Sequence, residues 1–205
     1  DEVSGVAEEQ TIAAYRQFLQ AAPNAPQRPE ALRRLGDLEM DRADRIAAEA
    51  TAAAGAEPDY KAAIARYEEF LQAYPQDTRN DRVLYQLARA QEQGGDLESA
   101  LKTLTRLVST FPGTQHADEA QFRRGELLFT MRDYKQAEAA YAAVLGSGEA
   151  SPFVERALYM QGWSLFKQGR LEDALQPFFG VLDLKLGGLP ANVRDEADLA
   201  SVRQL

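Results

Sequence analysis

The chain has 205 residues, a formal charge of −9, no cysteine and one histidine. That length suits one or two compact domains or one array of repeats; the acidic balance argues against a general nucleic-acid binder, which needs a basic footprint to displace counterions from phosphate. Absent cysteine excludes disulfides and thiolate metal sites, no run approaches the roughly 20 apolar residues of a membrane span, and the opening DEVSGVAEEQ lacks the charged-then-apolar layout of a signal peptide.

Along the chain, apolar spacing predicts ten helices, near 8–22, 29–54, 58–74, 80–93, 96–110, 116–131, 133–145, 152–168, 170–186 and 191–204. The first is QTIAAYRQFLQAAP (10–23), which repeats ARYEEFLQAYP (65–75) at an offset of 52, with Tyr15 answering Tyr67, Phe18 answering Phe70 and Pro23 answering Pro75. The second, PEALRRLGDLEMDRADRIAAEATAAAG (29–55), reads as one overlong helix with about four extra turns, stopped by Gly55 and Pro58. It is either a projecting arm or a stiff spacer packed along its neighbour, and the spacer is favoured. Its Asp37, Asp41 and Asp44 are interleaved with Arg34, Arg42 and Arg45, and Glu30–Arg34 and Asp41–Arg45 have i,i+4 spacing. A solvated, ion-paired face follows.

From the third helix onward a frame of 37 residues governs the chain. Ala63, Ala100, Ala137 and Ala174 recur at that interval. Each is followed four residues on by Tyr67, Leu104, Tyr141 or Phe178, and seven on by Phe70, Leu107, Val144 or Val181. Such offsets mark one face of a helix. On the preceding helix of each unit a small residue recurs, Ala88, Gly125 and Gly162, and in the overlong helix Gly36 takes the same place. Small residues at this spacing mark where two helices approach closely. GGD (94–96), RD (132–133) and QGR (168–170) read as tight turns, and Pro75 and Pro112 as helix exits. Pro177 falls inside the ninth helix, where it removes the hydrogen bond to Asp173 and is expected to bend the helix. Each unit is helix, turn, helix, and cannot bury its apolar faces alone. The expected fold is all-α, a right-handed α-solenoid of antiparallel helix pairs.

DRVLYQLARAQEQGGDLESALKTLTRLVSTFPGT (81–114) resembles a tetratricopeptide repeat, with Leu84, Leu87, Ala88, Ala100, Leu104, Leu107 and Pro112 on the signature positions and Gly95–Asp96 at the turn. The units are 8–36, 29–77 with the elongated first helix, 81–114, 118–151 and 155–188, followed by a cap or the start of a further repeat over 190–205. Residues 1–205 then form one solenoid domain, read as a segment of a longer array. The elongated units, ending YEEFLQAYPQD or RLVSTFPGT and followed by DEAQFRRGELLF, are similar to a narrower group. It comprises bacterial envelope proteins: the periplasmic accessory protein of the Tol–Pal system and the lipoprotein of the outer-membrane β-barrel assembly machine. This resemblance implies a periplasmic or outer-membrane-associated location, with the cytoplasm as the alternative.

Catalytic motifs are absent: there is no G-x-x-x-x-G-K-[ST], G-x-S-x-G or H-E-x-x-H. His116, beside Asp118 and Glu119, reads as a solvated connector histidine, since a metal site needs three or four convergent ligands. No catalytic residue, metal or cofactor is expected. What remains is surface recognition. The resemblance implies that the first helix of each pair contacts peptide ligands, through Arg82, Tyr85, Arg89, Phe122, Arg123, Glu126, Phe129, Arg156, Tyr159, Trp163, Phe166 and Lys167. Aromatics and arginine are the side chains enriched in binding hot spots. Five cations against one acid, or three with Glu92 and Glu119, suggest a mildly basic aromatic groove for a carboxylate-bearing peptide or a partner helix. The competing reading has the aromatics packing between helix pairs and the arginines solvated.

The expected function is a non-catalytic protein-interaction scaffold of the cell envelope, binding a protein or peptide partner and no nucleic acid. Self-association through exposed solenoid ends is a further expectation. The alternatives are a cytosolic adaptor or regulatory subunit, and an accessory platform for a catalytic domain elsewhere.

Overall fold

The computed structural model describes residues 2–50, 58–147 and 151–187. Among them are nine helices: α1 (Glu2–Ala21), α2 (Arg28–Ala50), α3 (Lys61–Ala73), α4 (Asn80–Gln93), α5 (Leu97–Thr110), α6 (Ala117–Thr130), α7 (Tyr134–Gly146), α8 (Val154–Lys167) and α9 (Leu171–Gly187). The expected helix at 191–204 and the last turn expected of the long helix lie outside the described residues. α1 begins earlier than its apolar pattern suggested, since nothing stronger than Gly5 interrupts the helix there. The chain divides into two compact units, Asp1–His116 and Ala117–Leu205.

In the first unit α1 packs on α2, α2 on α3, α3 on α4 and α4 on α5; in the second, α6 packs on α7, α7 on α8 and α8 on α9. The alanines of the repeat frame are the contact positions within the pairs. Ala63, Ala100 and Ala137 are fully buried, and Ala174 is 2% exposed. Opposite them the small residues of the first helices receive large groups. A Cβ placed on Gly36 would lie 2.7 Å from Cε1 of Tyr67; on Gly125 it would lie 2.5 Å from Cε1 of Tyr141; on Gly162, 2.6 Å from Cε1 of Phe178. These distances leave no room for a methyl group. The remaining pair has Ala88 on the first helix and the smaller Leu104 on the second, both buried. The small-against-large arrangement thus runs through all four helix pairs among the described residues.

The turns repeat as closely as the contacts. Gly95, Arg132 and Gly169, spaced 37 apart, all take a left-handed backbone (φ 82°, 65° and 78°). Each closes the preceding helix in the same way: Gly95, Arg132 and Gly169 donate to the carbonyls of Glu92, Phe129 and Phe166, and the next residues, Asp96, Asp133 and Arg170, donate to Gln91, Leu128 and Leu165. This is a Schellman closure, for which glycine is the unstrained choice. Arg132 holds that conformation with a side chain, at a cost of about 1–2 kcal/mol. Asp96 and Asp133 then cap α5 and α7, accepting from the N–H groups of Ser99 and Gln136.

The long α2 is a spacer packed along its neighbour as far as residue 45. Met40 and Ala43 are buried, and Arg42 and Arg45 pair with Glu9 and Glu8 of α1 at 2.8 and 2.6 Å. Its buried Glu39 is held by Arg16 of α1 at 2.8 Å, with Arg66 of α3 at 3.9 Å. The expected Asp41–Arg45 pair does not form, because Arg45 reaches Glu8 and Glu49 instead. The Glu30–Arg34 pair does, at 3.0 Å. α9 continues through Pro177, whose ring is buried.

Gly125→Ala tests the size rule. In an open helix this change gains about 1 kcal/mol from propensity. Here the Cβ meets a fully buried ring, and urea denaturation should show a loss of about 1–3 kcal/mol. Adding Tyr141→Leu, which copies the Ala88–Leu104 pair, should leave the double variant more stable than the two single losses summed.

Candidate functional site

The twelve residues marked by the sequence lie on first helices of both units: Arg82, Tyr85 and Arg89 on α4; Phe122, Arg123, Glu126 and Phe129 on α6; Arg156, Tyr159, Trp163, Phe166 and Lys167 on α8.

In the first unit, α2 and α4 share a polar cleft of about 200 Å³, lined by Arg34, Asp37, Met40, Asp41, Tyr67, Arg82, Gln86 and Arg89. Asp37 accepts from Arg33 at 2.6 Å and from the Tyr67 hydroxyl at 3.1 Å. Asp44 accepts from the Tyr60 hydroxyl at 3.0 Å and faces Arg89 at 3.5 Å. Burial, then the bond to Asp44, pushes the Tyr60 phenol up to about 12. Arg82 stands 3.9 Å from Asp37. The carboxylates of α2 are therefore a bonded framework joining three helices, where the sequence suggested a solvated face. Asp41 takes no part in it. Partial burial first, then the charges of Asp37, Asp44 and Glu8, hold its carboxyl above the usual range.

Tyr85 is 9% exposed and carries His116 stacked on its ring, at 4.3 Å between centroids and 9° between planes. The connector is fixed there by Thr114, whose hydroxyl donates to Asp81 at 2.6 Å. His116 is thus a packing group on an aromatic face, correcting its reading as a solvated histidine.

In the second unit, Phe122 is 2% exposed, between Tyr141 (5.7 Å) and Phe153 (5.4 Å), and the Arg156 guanidinium sits 4.5 Å over its ring. Arg156 also pairs with Glu126 at 3.2 Å, and Arg123 with Glu119 at 2.9 Å. Phe129 meets Tyr134 edge-on at 5.2 Å. The four arginines of the expected groove all face carboxylates, Arg82 and Arg89 those of α2, Arg156 that of Glu126 on α6, and Arg123 that of Glu119 on its own helix. Their positive charge is largely cancelled. Lys167 is exposed and makes no ion pair among the described residues.

The rest of α8 is different. Because Gly162 has no side chain, the Phe178 ring of α9 comes close against α8 and supports the rings above it. Tyr159 and Trp163 meet that ring edge-on at 6.0 and 5.9 Å, Trp163 meets Tyr159 at 6.2 Å, and Phe166 closes the cluster 5.5 Å from Trp163. Such edge-to-face pairs orient each other. Tyr159 and Phe166 remain 48% and 47% exposed. Trp163 is half-buried.

One surface lay outside the marked residues. Leu171, Leu175, Phe179 and Leu182 of α9 are exposed and follow one another at intervals of four, four and three, one stripe of the helix. The signal in the sequence is that LEDALQPFFGVLDLKLG is apolar on more sides than its contacts with one first helix require.

Two family models described as tetratricopeptide repeat match the sequence, over residues 54–121 and 122–183. No curated protein sequence matches. Among solved structures, the MamA protein is similar at 21% identity and TM-score 0.64, over 89% of this chain and 85% of that one. MamA (41-end) from Desulfovibrio magneticus RS-1 is similar at 14% and 0.57, over 88% and 98%. The nearly identical TPR-like repeats of a putative kinesin light chain from Podosopora anserina are similar at 12% and 0.59, over 78% of each. At these identities the likeness carries the fold alone.

Asp41→Asn should report the strain in the α2–α4 cleft. A carboxyl whose folded pKa is raised disfavours the folded state at pH values above that pKa, and this penalty disappears as pH falls to the unfolded value near 3.9. The variant should melt about 1–2 °C higher at pH 7, with the gain shrinking toward zero by about pH 4.

Proposed function

The chain belongs to the tetratricopeptide-repeat family, and we propose that it is a non-catalytic scaffold that holds a protein partner on the first-helix face of α8. The observation that carries this reading is the ring cluster of Tyr159, Trp163, Phe166 and Phe178, half open to solvent and braced from behind by the Gly162 contact. A preorganised aromatic surface gives large contact area at small entropic cost. Lys167, beside it, suits a carboxylate next to the apolar anchors of the partner peptide or helix.

The envelope is the proposed location, supported by the resemblance of the elongated units to periplasmic and outer-membrane accessory proteins. Among the described residues no helix is long and apolar enough to cross a membrane. The exposed stripe on α9 supports a second interaction, self-association.

Affinity capture from fractionated source cells tests the scaffold reading, with wild type beside Tyr159→Ala/Phe166→Ala. Specific partners should come from the periplasmic or outer-membrane fraction and fall at least tenfold in the variant, as loss of a hot spot of about 2 kcal/mol requires. Equal capture of the same partners by both proteins removes the α8 site, and recovery from the cytosol alone removes the envelope. For the second interaction, sedimentation at rising concentration should show association that Leu175→Arg abolishes; a monomer at every concentration argues against it.

A further inference from the structure

α1 is a second helix that has no first helix among the described residues. Its exit shows this independently of its sequence. Ala22 donates to Phe18, Ala25 to Ala22, Arg28 to Ala25 and Ala31 to Gln27. The same four bonds follow α3: Tyr74 to Phe70, Asp77 to Tyr74, Asn80 to Asp77 and Val83 to Arg79. Every donor and acceptor is displaced by the 52 residues that relate Tyr15 to Tyr67. α1 therefore occupies the place in the frame that α3, α5, α7 and α9 occupy.

Those four helices each bury one face against the small residue of a first helix. On α3 that face carries Ala63, Tyr67 and Phe70, all fully buried. The matching positions on α1 are Thr11, Tyr15 and Phe18; Thr11 is exposed, and Tyr15 and Phe18 are half-buried. They line an apolar groove of about 500 Å³ with Ala7, Gln10 and Ala14. The opposite side of α1 is fully engaged with α2, through buried Ile12 and Leu19 and the Arg16–Glu39 pair. The helix is thus held firmly with its receiving face open.

We propose that this groove binds one amphipathic helix from outside residues 1–205, carrying a glycine opposite the Tyr15 ring and an acidic residue directly after it. The glycine follows from the pairs within the chain, where Tyr67, Tyr141 and Phe178 admit no Cβ opposite them. The carboxylate follows from Asp37, which succeeds Gly36 and accepts the Tyr67 hydroxyl at 3.1 Å. The same pairing is open to the hydroxyl of Tyr15. This goes beyond the proposed function, since it concerns a different unit and the second-helix type of face.

The probe is a labelled synthetic peptide of this chain's own residues 28–47, which contain Gly36–Asp37, added to the intact protein and followed by fluorescence anisotropy. The protein's own α2 already fills the α3 face, leaving α1 for the peptide. Saturable binding is expected. Gly36→Leu in the peptide and Thr11→Arg in the protein should each weaken it roughly tenfold or more, the size of an overpacking penalty of about 1.4 kcal/mol. Circular dichroism of Thr11→Arg, substituted at an exposed position, confirms that α1 remains folded. Absence of binding, or equal binding of the Gly36→Leu peptide, overturns the proposal. So does concentration-dependent dimerisation lost in Thr11→Arg, which would give the face to a second copy. Because the Tyr159→Ala/Phe166→Ala variant leaves α1 intact, failure here and failure of the α8 reading are separate results.

Discussion

Everything in this protein depends on one steric arrangement, a ring or leucine of the second helix pressed against a residue with little or no side chain on the first. Gly36–Tyr67, Gly125–Tyr141 and Gly162–Phe178 leave no space for a methyl group, and Ala88–Leu104 meets the same constraint with a smaller side chain facing alanine. Helix axes come close only where one side chain is small, and that closeness excludes water from the alanines along the same face. A glycine inside a helix costs about 1 kcal/mol in propensity. Burying a whole aromatic ring returns more than that, which is why the frame can carry glycine in three of its first helices.

The same contact shapes the surface. At α8 the glycine admits Phe178 far enough to support Tyr159 and Trp163, so a packing requirement also builds the most exposed aromatic cluster of the chain. At α6 the corresponding glycine admits Tyr141, but there Phe122 is covered by Arg156 and Phe153 and the surface is closed. Identical frames thus give one open aromatic face and one sealed one. The difference lies in the neighbours: the residue after the glycine is Glu126 on α6, which anchors Arg156, and Trp163 on α8, which adds a ring.

The electrostatics follow a similar division. α2 carries its extra turns along α1, and its acids and bases are spent on holding α1, α3 and α4 around it. Glu39 is buried and must be paired to be tolerated; Arg16, reaching it from α1, is what locks that helix in place. Expecting a basic recognition surface from a count of arginines failed because the partners of Arg82, Arg89 and Arg156 come from other helices, and no local spacing reveals them.

The sequence by itself determined the fold class, the repeat length and the contact positions, because helical periodicity and the alternation of small and large residues are local rules that a 37-residue interval repeats until they cannot be missed. The turns were legible for the same reason; that Asp96 and Asp133 cap the helices that follow is what the structure adds. Which marked residues stay available was decided only in three dimensions. Tyr85 lies under His116, Phe122 under Arg156, while Tyr159 and Phe166 remain open, although all four sit on the same face of the repeat. Exposure is a property of what packs alongside a helix, and neighbours brought in from a connector or the next pair are set by tertiary contact, not by periodicity.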